Sequence, residues 1–501
     1  MGLPITRRVF LTICLVLWGH TTFFGPGSEP MNRNIAALSL SLSVDRDVGI
    51  DRFVLAVTSD SRKFGDTASF EGHYRSGMSP GTSLLLLPVA LVSHQLSGVL
   101  LARAQPYMES STSRAVPRTV TFSRESVELL LTQLLGTVMV LIPLTAWSWA
   151  RLFEYLHLDL GLGVCSSLWA VFAGALASCA FFYSTFISSK QVGSALGLLA
   201  FCFACQSLRG TGRREAGMAG FFMGAAVAAD YVLAINACLL TLFVLFAGLG
   251  VRRFVWFLAG GLFWVVLLGG YHQWAFGSPF ANSYQLRTAF SDWRSEKTEV
   301  SGGWLLPLYG MTLSTYKGIF VYSPWMLLGL AGLVSPSSWK EHLNQLLYLS
   351  ASLLGFLVFI SSTTWWPSGG WGMRYLLPGL PALAVGLALF HHRYASNRAA
   401  VWGLRASVVV ALIINYLPFG APTATTWDPH WSQPILYVLQ RILRDGFCLY
   451  PIDFFARNIS PLGGGAKVVA HLCFYALLSG GLYFIWRAGG RGRGEEAPRL
   501  Q

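Results

Sequence analysis

Carboxylates are scarce in this chain, 23 Asp and Glu among 501 residues, and their distribution is the first clue to chemistry. Nine of them fall between residues 26 and 125: Glu29, Asp45, Asp47, Asp51, Asp60, Asp66, Glu71, Glu109 and Glu125. A positioned carboxylate can take the proton of an attacking hydroxyl, while a positioned cation can stabilise a departing phosphate. Asp66 and Glu29 are the candidate bases. Arg33 follows Glu29 closely, and His73 and Tyr74 follow Asp66 in GDTASFEGHYRSGMSPGTSLLLLP at 65–88. Gly72, Gly77 and Pro80-Gly81 punctuate that run as tight turns, which hold the polar residues in place. For any single carboxylate the plainer account is a solvated loop. The cluster resists that account, because an apolar helix follows it at once.

Further along, GSPFANSYQLRTAF (277–290), TYKGIFVYSP (315–324) and TTWWPSGGWGMRYLLPGLP (363–381) bring Lys317, Trp365, Trp366, Arg374 and Tyr375. The tryptophans alone fit an interfacial aromatic belt. Lys317 and Arg374 do not, since they stand where positive charge is disfavoured. A cation pair beside flat indoles suits a lipid phosphate carrying a sugar: phosphate to cation, sugar ring to aromatic face. Asp230 interrupts an apolar run; it is either a binding group or a water-exposed turn residue. Asp45-Arg46-Asp47 is the sole acidic doublet with any metal-binding look, so a divalent metal is left open, with Asp45 and Asp47 as weak candidates.

The elements that must position these residues are membrane helices. Hydrophobic residues make up 53% of the chain and charged ones 12%, against about 25% charged in an ordinary soluble domain. Mean hydropathy is +0.52. A soluble enzyme, a disordered chain and a disulfide scaffold are excluded. The net charge of +13 is read as the Lys/Arg bias of cytoplasmic loops, not as a nucleic-acid partner. Seven of the eight cysteines lie in apolar stretches, and Cys202 and Cys205, despite CxxC spacing, read as packing residues.

The expected fold is an all-α polytopic membrane protein, one membrane-embedded domain over 1–501 with about twelve transmembrane helices. The spans read as an N-terminal helix over 9–24, retained and not cleaved, then 126–150, 162–183, 191–208, 216–229, 231–249, 254–275, 320–334, 343–362, 375–391, 399–418 and 465–487. Basic flanks on both sides of 216–249 require a hairpin there, with Asp230 at its external tip. Three external loops result, 26–125, 276–319 and 419–464, and residues 82–101 form a re-entrant or surface helix in the first. Both termini are then cytoplasmic.

In that order, an N-terminal helix, an acidic first loop ending in GHYRSGMSPG, FGSPF, GIFVYSP and WWPSGGWGMRYLLPGLP, the chain resembles bacterial integral-membrane glycosyltransferases of the GT-C fold, similar to the protein mannosyltransferase and aminoarabinose transferase groups. The resemblance implies a first-loop carboxylate at the reacting centre and a polyprenyl-phosphate sugar donor. It implies an acceptor hydroxyl on protein, glycolipid or polysaccharide, and transfer at the outer face of a bacterial inner membrane among membrane lipids. Asp66 matches the acidic residue ahead of the turn, and Glu29 the one after the first helix. Met78 departs from the pattern, where relatives often carry Lys, and Lys317 stands where Arg is commoner. Single displacement would invert the anomeric centre. Two rival readings are a lipid or sugar transporter or flippase, which would carry ionisable residues mid-span, and an inactive transferase-like scaffold.

Reporter fusions test the topology. A fusion after residue 110 is expected to report an external position and one after residue 212 a cytoplasmic one; a cytoplasmic signal at 110 means that 82–101 crosses.

Overall fold

The structure, a computed structural model, describes residues 4–21, 30–57, 64, 66–102, 107–109, 118–120, 123–209, 212–281, 283–286, 305–362, 370–420, 433–449, 451–453 and 463–487. Helix α1 (Ile5–Gly19) leads to a polar cap of short elements. These are α2 (Pro30–Leu40), α3 (Asp51–Val57), an antiparallel hairpin of β1 (Thr67–Phe70) and β2 (His73–Ser76), then α4 (Gly81–Leu85) and α5 (Leu87–Leu101). A second hairpin pairs β3 (Tyr107–Glu109) with β4 (Arg118–Val120). The bundle follows: α6 (Arg124–Asp159), α7 (Val164–Leu176), α8 (Cys179–Tyr183), α9 (Ser189–Arg209), α10 (Arg213–Ala229), α11 (Ala234–Phe246) and α12 (Val251–Phe276). It closes with α13 (Leu305–Thr312), α14 (Ile319–Tyr322), α15 (Trp325–Leu333), α16 (Pro336–Ser361), α17 (Leu380–Tyr394), α18 (Arg398–Gly420), α19 (Pro434–Asp445) and α20 (Gly464–Arg487).

Among the described residues, seven helices are long and apolar enough to cross a membrane by length and composition, and three shorter apolar ones accompany them: Leu87–Leu101, Val164–Leu176 and Tyr231–Phe246. The chain is an integral membrane protein of all-α class, but the twelve uninterrupted spans expected do not all form. The stretch 320–334 is cut at Ser323-Pro324, where proline starts a new helix. The stretch 162–183 is cut at Ala177-Ser178, and Ser178 caps α8 by accepting from the Ala180 N–H. Both breaks are satisfied internally, as a low-dielectric setting demands. The indole N–H of Trp325 donates to the freed Ala177 carbonyl at 2.7 Å, and the Asn415 amide donates to the Tyr322 carbonyl at 2.8 Å.

The bundle is polarised. One end gathers Arg151, Asp159, Arg209 and Arg253: Arg209 pairs with Asp159, Arg151 bonds Gln206 and Arg253 donates to the Ser207 carbonyl. The cap sits at the other end, where α6 begins and where α12 finishes with Phe276 edge-on to Phe70 of β1. Asn415 and the glycine crossing of α15 with α17 fix the helices that follow residues 317 and 374. A Cβ on Gly332 would meet the Gly386 carbonyl oxygen at 1.9 Å, and one on Gly386 would meet that of Gly329 at 2.0 Å. Small residues permit this approach. Gly386→Leu is expected to lower stability by about 1–3 kcal/mol through overpacking, read as a lower midpoint of thermal unfolding in detergent; an unchanged midpoint would mean that the crossing is not constrained.

Candidate functional site

Two helix ends meet where the cap docks. Lys190 is the second residue of α9, and Asp230 follows the last residue of α10. Their side chains pair at 2.9 Å with only 7% and 5% exposure. Asp230 also caps the single 3-10 turn after it by accepting from the Val232 N–H. Of the two readings of Asp230, the water-exposed turn residue is the one that the structure does not bear out: the turn is there, but Asp230 is buried, and the cap docks beside it. Gly81 shows how closely, since a Cβ there would stand 2.3 Å from the Ala228 carbonyl carbon. Only glycine fits the turn of Ser79-Pro80-Gly81 onto α10.

From Lys190 the site continues through aromatic rings. Its ammonium lies 4.4 Å from the centroid of Tyr375, and the guanidinium of the adjacent Arg374 lies 5.4 Å from the same ring, both within cation–π range. Tyr316 is the next member: burial pushes its phenol above the ordinary range, and the charge of Arg374 draws it back. Lys317 is 2% exposed, with its ammonium 5.2 Å from the Tyr316 ring. The tight turn at Gly318 places it, the Gly318 N–H donating to Ser314 at 2.7 Å. Tyr322 donates to the Tyr316 carbonyl at 2.9 Å and packs edge-on against Trp371. Trp371 is buried between Gly370 and Gly372, both at positive φ, so it is a packing residue and not part of an exposed belt.

The cap reaches the same place by a second route. Asp66 is half-buried, with φ +47° in the left-handed region, and its carbonyl accepts from the Gly77 N–H at 2.8 Å. Gly77 in turn accepts from Ser283 at 3.4 Å. The neighbouring Tyr284 ring is edge-on to Tyr231, whose hydroxyl bonds His272 at 2.7 Å. Asp66 is thus joined through the Gly77 turn to the residue after Asp230. Arg33, on α2, is buried, and burial lowers the pKa of its guanidinium.

The other expected residues divide. His73 is exposed and 3.4 Å from Asp51, which also accepts from the Tyr74 N–H at 2.9 Å; the two orient the hairpin against α3. Asp45 pairs with Arg52 at 2.8 Å and Asp47 accepts from the Val48 N–H. Among the described residues no three His, Cys, Asp or Glu converge as metal ligands. Glu29, Trp365 and Trp366 lie outside the described residues. Tyr316 and Glu128 carry structure that the motifs did not single out. Glu128, fully buried on α6, accepts from His94 at 2.8 Å and Arg124 at 3.0 Å and faces Arg52 at 3.4 Å, fastening the cap to the bundle.

Fold and site define a predominantly helical integral membrane protein with a polar cap and buried cations at one end. Among solved structures, the chain is similar over 97% of its length to ArnT from Cupriavidus metallidurans in the apo state, at 14% identity and TM-score 0.47, covering 75% of that chain. It is likewise similar over 97% of its length to ArnT from the same organism bound to undecaprenyl phosphate, at 13% identity and TM-score 0.45, covering 76% of that chain. No protein-family model and no curated protein matches the chain.

Breaking the Lys190–Asp230 pair leaves one buried charge, so Lys190→Met and Asp230→Leu are each expected to cost about 3–5 kcal/mol. The double variant is expected to recover most of that loss in a thermal-unfolding series. Additive losses would show that the two side chains do not interact.

Proposed function

We propose that the protein transfers a sugar from a polyprenyl-phosphate donor to an acceptor hydroxyl at the outer face of a bacterial inner membrane, with both termini in the cytoplasm. The observation that carries this reading is the continuous set Asp230, Lys190, Tyr375, Arg374, Tyr316 and Lys317 at one end of the bundle, beneath a cap that holds Asp66. Desolvated cations beside aromatic rings suit an anionic phosphate with a sugar attached. The Arg-rich opposite end fits the cytoplasmic side by the positive-inside bias, which supports reading the cap and the cations as external.

Lys317 and Arg374 would hold the phosphate, with Arg33 as a further contact from the cap. Lys190, fixed by Asp230, would hold the Tyr375 ring and add positive field. As the bond from the anomeric carbon to the phosphate oxygen breaks, these charges stabilise the oxygen that keeps the electron pair. Asp66 would take the proton from the acceptor hydroxyl as its oxygen bonds the anomeric carbon from the opposite face, giving inversion. Glu29 remains the alternative base. His73 and Tyr74, beside the hairpin turn, would meet the acceptor, and Trp365 and Trp366 the sugar. The position of Lys190 and Asp230 at helix ends, not mid-span, disfavours a permeation pathway.

Membranes containing wild type, Asp66→Asn or Glu29→Gln, offered radiolabelled polyprenyl-phosphate sugars, test this. Transfer by the wild type is expected to fall at least about 100-fold, the scale of general-base loss, in Asp66→Asn at equal protein level. Full transfer by Asp66→Asn moves the base elsewhere, and full transfer by both variants contradicts the carboxylate assignment.

A further inference from the structure

Helix α19 stands apart from the bundle's other helices in the way that its residues divide. Twelve residues reach about 18 Å at 1.5 Å per residue, far short of the roughly 30 Å hydrocarbon core, so it cannot cross. Around the helix, Val438 is fully buried and Pro434 buried, with Ile435 and Ile442 half-buried beside them. Next to that face Leu436, Leu439 and Leu443, at i, i+3 and i+7, point outward with 50%, 38% and 78% exposure. Gln440 and Arg444, both exposed, fall beyond the leucines, with Arg441 on the same polar side. At 100° per residue the apolar positions fill a continuous arc of about 160°, of which the protein covers one side only.

The mounting is firm. Past the end of α19, the Cys448 N–H donates to the Gly420 carbonyl of α18 at 3.2 Å, and the Leu449 N–H donates to His471 of α20 at 3.1 Å. Phe447 stacks on Tyr416 with planes 11° apart. The two helices that hold it are themselves outward-facing and apolar: Val409, Val410 and Ile413 of α18 and Val468, Val469 and Leu472 of α20 are exposed. The leucine arc thus belongs to a helix packed on α18 and tethered to α20, whose own outward surfaces only a bilayer can cover in an integral membrane protein.

We propose that α19 lies in the plane of the bilayer interface, with Leu436, Leu439 and Leu443 in the acyl region and Arg441 and Arg444 at the level of anionic headgroups. The pattern matches what an interfacial helix requires: an apolar arc, a cationic polar arc and insufficient length to span. This inference rests on the membrane character of the chain and not on the sugar-transfer reading.

The test uses the unaltered full chain in vesicles of phosphatidylglycerol and phosphatidylethanolamine that include a lipid with a photoactivatable carbene precursor in its acyl chain. After irradiation, insertion is mapped by peptide sequencing. Leu436, Leu439 and Leu443 are expected to be labelled to the level of Val468 and Leu472 of α20, and at least about fivefold more than Gln440. An unlabelled α19 beside a labelled α20 overturns the proposal. If Leu443→Cys then forms a disulfide-linked dimer, the occupant of the arc is a second copy of the chain; if it does not, the helix sits in water.

Discussion

The buried ion pair between Lys190 and Asp230 is the constraint around which the rest of this end of the molecule is organised. Two charges withdrawn from water are tolerated only when they satisfy each other and their neighbours. Here the contact is 2.9 Å, Asp230 takes a backbone donor from the following turn, and the ammonium faces the Tyr375 ring. Because Lys190 opens α9 and Asp230 terminates α10, their pairing sets the height of two helices against each other. It also creates the surface on which Gly81 docks. Cap, cations and bundle are therefore one construction, and a change in the pair propagates to Tyr375, Arg374 and the Gly77 turn.

The broken helices serve the same arrangement. An uninterrupted span at 320–334 would carry Tyr322 along a rigid rod. The Ser323-Pro324 break lets a four-residue helical piece turn back so that Tyr322 can bond Tyr316 and pack on Trp371. Its unpaired carbonyl is taken by Asn415 from α18. Irregular backbone at membrane depth is stable under that condition, and it places tyrosines and cations from distant parts of the chain in one neighbourhood.

Much of this was legible in the sequence, because the long apolar spans at 254–275, 399–418 and 465–487 are set by composition alone. The boundaries failed where local chemistry overrode hydropathy. Pro324 and Ser178 cut two expected spans, and wide turns carry α6 without interruption from Arg124 to Asp159. Gly81 could be read as a turn, although the surface that it touches could not. The pairing of Lys190 with Asp230 joins residues 40 positions apart in sequence and has no periodic signature; each residue was noticeable as a charge in an apolar context, but their contact is a property of the fold. Trp371 misled in the other direction, since a tryptophan at a span end resembles an interfacial anchor, and only the left-handed glycines on either side show why it turns inward.

The central claim is that the cations at the capped end bind a lipid phosphate. The most direct measurement is binding of a polyprenyl phosphate without its sugar to the purified protein in lipid nanodiscs, comparing wild type with Lys317→Met and Arg374→Met at matched thermal stability. Saturable binding by the wild type, weakened at least about tenfold in each variant as expected from losing a charge-assisted contact worth about 1.5–3 kcal/mol, is the predicted result. Equal binding by all three proteins would contradict it.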